Sequence, residues 1–423
     1  MFDKEELRSI IVDQAEQHKL PKGYVHRELE GEILGSTSTE IRIITGVRRV
    51  GKSSMLQAVR QELGGEYYMN FDDERLIDFT VKDFQKLLEV FLELYGDQDR
   101  FYFDEIQNVP GWERFVRRLY DMNKEIFITG SNASLLSREL GTHLTGRYIP
   151  FTLYPFSFRE FLKYKKIRVN LDRLGTKSKV KLLKALKEFL EVGGIPRYVI
   201  ERDETYLRVL YESVLFRDLI VRFDITEVKA LRTLAKYLMS NYARLVSLRQ
   251  LKSVTHLKSI STIANYLEYL QDAYLFTLVP KYSYSLKDAA NAPRKVYAID
   301  LGLANVIGFN FSQNTGHKLE NAVLLELKRR NQGEVYYYRN GESECDFLIQ
   351  RGTQIMQAIQ VTASITSKNQ ERELDGLVNA MDKFNVPTGV VISLEQRAEI
   401  EHKGRTIQVF PIYEWLLDGY AYD

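Results

Sequence analysis

The residues with the plainest chemistry stand at Gly46–Ser53, GVRRVGKS. Glycines at 46 and 51 permit backbone angles closed to other residues. The N–H groups of Arg49, Val50, Gly51, Lys52, Ser53 and Ser54 can therefore turn toward phosphate oxygens. Lys52 is placed to reach the β- and γ-phosphates of ATP, and the Ser53 hydroxyl to complete the shell of a Mg²⁺ ion. A glycine- and lysine-rich turn can match this P-loop (Walker A) pattern by chance. Here a strand-like run, EIRIIT (40–45), precedes it and a helix-like run follows, which is the context the motif requires.

A second constellation lies 52 residues after Lys52, where RFYF (100–103) runs into Asp104 and Glu105. An apolar strand ending in a carboxylate delivers it to the carboxyl edge of an open sheet, where such sheets bind ligands. Asp104 would hold Mg²⁺ through a water (Walker B), and Glu105 would orient and deprotonate the attacking water. FITGSN (127–132) closes a further strand with small polar groups. Ser131, or Asn132 as second choice, could touch the γ-phosphate or the water; either could equally cap a helix starting near Ala133. FDDER (71–75) brings acids to the same edge without a defined role. Arg147, in LTGRY, is a candidate to stabilise transition-state charge, in cis or from a neighbouring subunit, or else a surface ion pair.

The positioning elements follow from periodicity. Strand-like runs at 40–45, 66–71, 100–103, 125–129 and 147–153 alternate with amphipathic helices, the signature of a mainly parallel α/β sheet. After Pro155 the pattern is helical to 225, with a GGIP break at 193–196. Three helical segments and an apolar hairpin fill 226–300, and mixed α/β character returns over 312–423. The expected organisation is an N-terminal helical segment (1–38), an ATPase core (39–155), a helical lid (156–225), a winged helix (226–311) and a last α/β domain (312–423).

Composition sets the outer limits. Hydrophobic residues at 44% and charged residues at 27% describe a globular chain. No run approaches the roughly eighteen apolar residues of a membrane span, and the charged N-terminus lacks a signal-peptide core. A single cysteine, Cys345, excludes an internal disulfide framework and fits a cytoplasmic location. Six scattered histidines give no zinc-ligand spacing. Net charge is +2, yet residues 226–300 hold eleven Lys/Arg against five Asp/Glu. That local excess suits an anionic partner, although a solvated lysine-rich face would look the same.

Within the basic stretch, a short helix, a turn and a second helix lead into the hairpin, the layout of a winged helix. Ser259–Ala273 would be its recognition helix, offering Ser261, Thr262, Asn265 and Tyr266 to the major groove of double-stranded DNA. Lys252, Lys258, Lys281, Lys287, Arg294 and Lys295 could grip phosphates. Winged helices of this kind also serve as lids or protein contacts.

Taken with REL (27–29), TGVRRVGKSS (45–54), NFDDERL (70–76), FDEIQNVPGWE (103–113), TGSNASLL (129–136), LTGRYIPFTLYPFSFREFL (144–162), GGIPRYV (193–199), EN (320–321) and ECDFLI (344–349), the chain resembles prokaryotic AAA+-like P-loop ATPases whose C-terminal part is a domain of unknown function related to restriction-type nucleases. The resemblance spans almost the whole chain. It implies an ATPase core, a helical lid, a winged helix and a nuclease-like fold, and it makes Pro196 of GGIP a candidate nucleotide contact.

A restriction-type centre needs two carboxylates, a third acidic residue and a lysine. The matching positions hold Glu320, Asp346, Gln360 and Thr362. Glutamine is a weaker ligand for a hard cation and threonine cannot replace an ammonium, so the fold is expected without the cleavage. Cys345 reads as a small buried residue. Three functions stay open: an ATP-driven switch acting on DNA, an ATP-gated nuclease, and a nucleotide-dependent switch contacting only proteins, its own copies included.

Overall fold

The computed structural model describes residues 2–130, 144–309 and 315–418, and it divides into two compact units, Met1–Leu153 with Asp272–Tyr274, and Tyr154–Gln271 with Leu275–Asp423. Ser131 and Asn132, with the helix expected from Ala133, lie outside the described residues.

In the first unit, Ile41–Thr45 (β1), Tyr67–Asn70 (β2), Arg100–Asp104 (β3), Glu125–Thr129 (β4) and Tyr148–Thr152 (β5) form a parallel sheet in the order β2-β3-β4-β1-β5. All five fall within a residue or two of their expected places. The order was not legible, and it matters: β4 is inserted between β1 and β3. Ile44 pairs with Thr129, Phe103 with Ile128 and Asn70 with Asp104, so four strand ends meet along one edge. Near-continuous apolar strands fit a sheet covered on both faces. One face is packed with aromatics, among them Phe71, Phe84, Phe103, Trp112 and Phe115, with Phe84 stacked on Phe115 at 4.3 Å. The N-terminal helix Lys4–Gln17 buries Leu7, Ile10 and Ile11, and its Gln14 amide bonds Asn70 and Asp73. Asp73 is thereby committed to structure: Arg75 and Gln14 hold its carboxyl at about 2.

The second unit opens with helices Phe158–Tyr164, Thr176–Val192, Pro196–Glu201 and Glu204–Ser213, the last running into a π-helical segment Val214–Val221. Helix Val228–Ser240 is followed by Arg244–Val246 (β6), helices Leu248–Thr255 and Ile260–Asp272, Phe276–Val279 (β7), helix Leu286–Asn291 and Arg294–Ala298 (β8). These strands pair antiparallel in the order β6-β8-β7. Strand β6 was not expected, because three residues are too few to show alternation. Then comes helix Thr315–Arg330 and a six-stranded sheet ordered β13-β14-β12-β11-β10-β9. Its strands are Glu334–Asn340 (β9), Ser343–Arg351 (β10), Gln354–Val361 (β11), Gly389–Ser393 (β12), Ala398–His402 (β13) and Arg405–Pro411 (β14). Helix Gln370–Phe384 packs Leu374, Leu377 and Met381 on this sheet. Strand β13, AEIEH, is an edge strand with little apolar pattern and was also missed. No helix among the described residues is long and apolar enough to cross a membrane.

The GGIP turn is anchored by a buried carboxylate. Asp300 accepts the N–H groups of Gly194 at 2.6 Å and Leu303 at 2.8 Å, and the Ile195 and Gly302 N–H groups also lower its pKa. Gly193, at φ 67°, leaves no room for a side chain, since a Cβ would stand 2.3 Å from the Asp300 carboxylate. Burial pushes the Asp300 carboxyl up to about 6 against the pull of these donors. Its folded value thus exceeds its unfolded one, so its contribution to stability is complete below about pH 4 and is lost as pH rises through 6. Asp300→Ala is expected to destabilise the second unit by about 2–4 kcal/mol, because buried N–H donors lose their acceptor. Urea titrations from pH 4 to 7 check this: the wild type should lose stability over that window, and the variant should lack that component.

Candidate functional site

The turn after β1 is built around close backbone approach. Gly46 has φ 141°, and a Cβ there would meet the Leu153 carbonyl oxygen at 2.3 Å. Arg49 and Gly51 also adopt positive φ, at 65° and 104°, before helix Lys52–Leu63 begins. Lys52 is only 5% exposed, and its ammonium folds back across the turn to donate to the Gly46 carbonyl at 3.1 Å and the Val47 carbonyl at 3.2 Å. A loop closed on its own ammonium, at a helix N-terminus, is a concave positive site. Val50 is buried, while Arg49 and Ser53 are exposed.

Arg27 supports the turn from behind and was not singled out as a site residue. Its Nη1 donates to the Val50 carbonyl at 3.2 Å. Its own N–H donates to the Glu30 carboxylate at 2.7 Å, so the start of helix Glu28–Gly35 fixes it. The available signal was REL among the resembling motifs.

On the neighbouring strands, Asp104 ends β3 at 2% exposure, near the Ser53 hydroxyl. The Thr129 hydroxyl, at the end of β4, donates to the Asp104 carboxylate and accepts the Glu105 N–H at 3.0 Å. Thr129 is a second residue that sequence reasoning passed over in favour of Ser131. Only the insertion of β4 between β1 and β3 shows that it is the group touching both acids.

Glu105 occupies a left-handed conformation, φ 51°, uncommon for a residue with a side chain and costly unless its surroundings impose it. The Gln107 amide donates to its carboxylate. Burial pushes the Glu105 carboxyl up, with Lys52 pulling it back. Burial likewise raises Asp104, against the Thr129 and Ser53 hydroxyls and the charge of Lys52.

Ser53 and Asp104 bring hard oxygens near one another, a fit for Mg²⁺, which characteristically takes one or two protein oxygens plus phosphates and water. Among the described residues no group of three or more His, Cys, Asp or Glu could hold a metal unaided. A cation at Ser53 and Asp104 would need oxygens from a bound phosphate.

Arg147 does not join this group in cis. β5 runs parallel to β1 with Ile41 opposite Tyr148 and Thr45 opposite Thr152. Arg147 therefore stands at the start of β5, about 16 Å along the strand direction from the turn at Gly46. Its guanidinium faces the Tyr120 ring at 6.0 Å. Pro196 lies in the second unit as the first residue of helix Pro196–Glu201.

Of the residues expected to face DNA, Ser261, Asn265, Lys258, Lys287 and Arg294 are exposed, and Thr262, Lys252 and Lys281 are half-buried. Two expectations need correction. Tyr266 is buried in the core at 6% exposure, because it falls on the inner face of helix Ile260–Asp272 with Ile263 and Leu270. Lys295 is 3% exposed, and its ammonium donates to Asp346 at 2.7 Å and Glu320 at 2.9 Å and forms an ion pair with Glu344 at 2.6 Å. It has no free charge for a phosphate. Glu320 and Asp346 do come together, as expected, and Gln360 lies beside Asp346, whose N–H it accepts at 3.2 Å. Thr362 is buried and bonds the Ser364 carbonyl. Cys345 is buried, and its thiol is pushed up by burial, as suits an inert packing residue.

Residues 38–162 match the family model described as an AAA domain; residues 183–314 and 315–415 match two described as domains of unknown function (DUF8612 and DUF4143). A Methanocaldococcus jannaschii protein described as "Uncharacterized protein MJ1544" is 34% identical over 439 residues, covering 99% of this chain and 96% of its own. A Haemophilus influenzae protein, also described as uncharacterized, is 31% identical over 396 residues, covering 89% and 94%. Among solved structures, AMPPCP-bound DnaA from Aquifex aeolicus is 18% identical with TM-score 0.26, covering 60% of this chain and 91% of that one. A signal-transduction ATPase with a tetratricopeptide-repeat sensor from Pyrococcus horikoshii is 13% identical with TM-score 0.29, covering 75% and 47%.

Proposed function

The chain belongs to the AAA+-like P-loop ATPase family, and on that premise we propose that it hydrolyses ATP with Mg²⁺ to switch conformation while bound to DNA. The observation that supports hydrolysis best is the convergence of Lys52, Ser53, Asp104, Thr129 and Glu105 on one sheet edge. Backbone N–H groups of the turn, from Arg49 to Ser54, and Lys52 would bind and orient the phosphates. Ser53 and Asp104 would hold Mg²⁺, which when bound would neutralise charge on the phosphate oxygens. Thr129 keeps the Asp104 carboxylate and the Glu105 backbone in fixed relation. Glu105 would take the proton of the attacking water, and a raised carboxyl suits that work at neutral pH. Ser131, Pro196 and an Arg147 supplied by another copy are proposed as secondary nucleotide contacts.

The DNA part of the reading is supported by the basic excess of residues 226–300 and by the layout of β6, β7, β8 and their helices, which suits a winged helix. The test is duplex DNA titrated against the Glu105→Gln protein with and without ATP. Affinity is expected to depend on nucleotide and to fall about a hundredfold between 50 and 200 mM salt, as roughly four phosphate contacts require. Lys258→Glu should weaken it further. Binding that is absent, or indifferent to salt, would move the protein to the class of switches that contact only proteins.

A further inference from the structure

The carboxylates of the C-terminal domain gather around an ammonium group, not around an open space. Lys295 reaches them from β8, which belongs to the three-stranded sheet. Glu320 comes from helix Thr315–Arg330, and Glu344 and Asp346 from β10, two residues apart and so on one face of that strand. A register shift in the pairing of β10 with β9 lies between Cys345 and Leu348, and such bulges re-aim side chains.

A divalent ion needs oxygens with lone pairs to spare, and here the oxygens that converge on one another are already engaged. An ammonium has three hydrogens. Lys295 donates to Asp346 at 2.7 Å and to Glu320 at 2.9 Å, and Glu344 pairs with its charge at 2.6 Å. The Glu320 oxygen that accepts from Lys295 also accepts the Tyr297 hydroxyl at 2.7 Å. The second oxygen of Asp346 accepts the Val361 N–H at 2.9 Å. Gln360 is turned the wrong way for a metal: its oxygen takes the Asp346 N–H, and its amide nitrogen donates to Glu373 at 3.2 Å. A cation bound to the same oxygens of Glu320 and Asp346 would have to stand on or against a buried positive charge, which the dry interior makes prohibitive.

We propose that the Lys295 ammonium is the resident cation of this centre, standing where a restriction-type fold would carry its divalent metal, so that the domain binds no Mg²⁺ there and cleaves no phosphodiester. The resemblance led to a metal centre weakened by Gln360 and Thr362. The geometry points instead to one that the chain fills for itself, from a strand outside the domain's own sheet.

The test uses the nucleotide-free full-length protein and Mn²⁺ alone as probe, with free Mn²⁺ followed by electron paramagnetic resonance. Comparison between variants cancels whatever Ser53 and Asp104 take. Wild type and Glu320→Gln should bind Mn²⁺ indistinguishably. Lys295→Ala should gain one site at least tenfold tighter than any in wild type, and Lys295→Ala/Glu320→Gln should lose it. The idea is overturned if Glu320→Gln alone weakens Mn²⁺ binding tenfold, since metal and ammonium would then coexist. It is overturned equally if a folded Lys295→Ala gains no Mn²⁺ site over wild type. Should Lys295→Ala fail to fold, the comparison of wild type with Glu320→Gln still decides.

Discussion

Lys52→Ala is expected to leave a folded protein with ATP affinity lowered about tenfold to a hundredfold and turnover below detection. The ammonium is buried and held at the mouth of the turn by the Gly46 and Val47 carbonyls, so its place is prepared before any phosphate arrives. A charge-assisted hydrogen bond contributes about 1.5–3 kcal/mol, which sets the loss of affinity. The loss in turnover should be larger, because charge accumulates on the transferring phosphoryl group in the transition state. Titration calorimetry with ATP, phosphate release with Mg²⁺, and a melting curve without nucleotide separate the site from the fold. Near wild-type binding and turnover in a folded Lys52→Ala protein would remove the turn from the chemistry altogether.

Glu105→Gln should behave differently: ATP binding within about threefold of wild type, and turnover lower by about two to four orders of magnitude, the usual contribution of a positioned base. The substitution keeps shape and the contact with Gln107, and it leaves Asp104, Ser53 and Thr129 in place. What it removes is the ability to accept a proton. The pH dependence carries a sign as well. A base must be ionised to act, so turnover should rise with pH through the Glu105 value, which burial places above the ordinary carboxylate range. Glu105→Gln should lack that rising limb. Wild-type turnover in this variant would assign the base elsewhere and leave the left-handed Glu105 as a feature of the turn alone.

Local order read well from the sequence. The strands of the first sheet, the helix after Gly51 and the two acids at the end of β3 were legible because short apolar runs, glycine positions and caps act within a few residues of themselves. The same locality explains the misses. β6 is held by a partner far away in sequence, Arg244 by Val296, and β13, although a hairpin joins it to β14, alternates too weakly to show as a strand.

The amino-acid order by itself determined that a phosphate-shaped turn and a strand-borne acid pair exist, since each is a matter of residue type and nearest neighbours. Which groups meet across the sheet was settled only by strand order and register. Insertion of β4 brought Thr129 to Asp104, and the parallel pairing of β5 with β1 carried Arg147 to the opposite edge. Lys295 shows the limit most sharply: it lies 25 residues from Glu320 and 51 from Asp346, and reads as one more surface lysine. Its burial against three carboxylates comes from long-range packing, because an ion pair is set by distance in space and chain separation leaves no local trace of it.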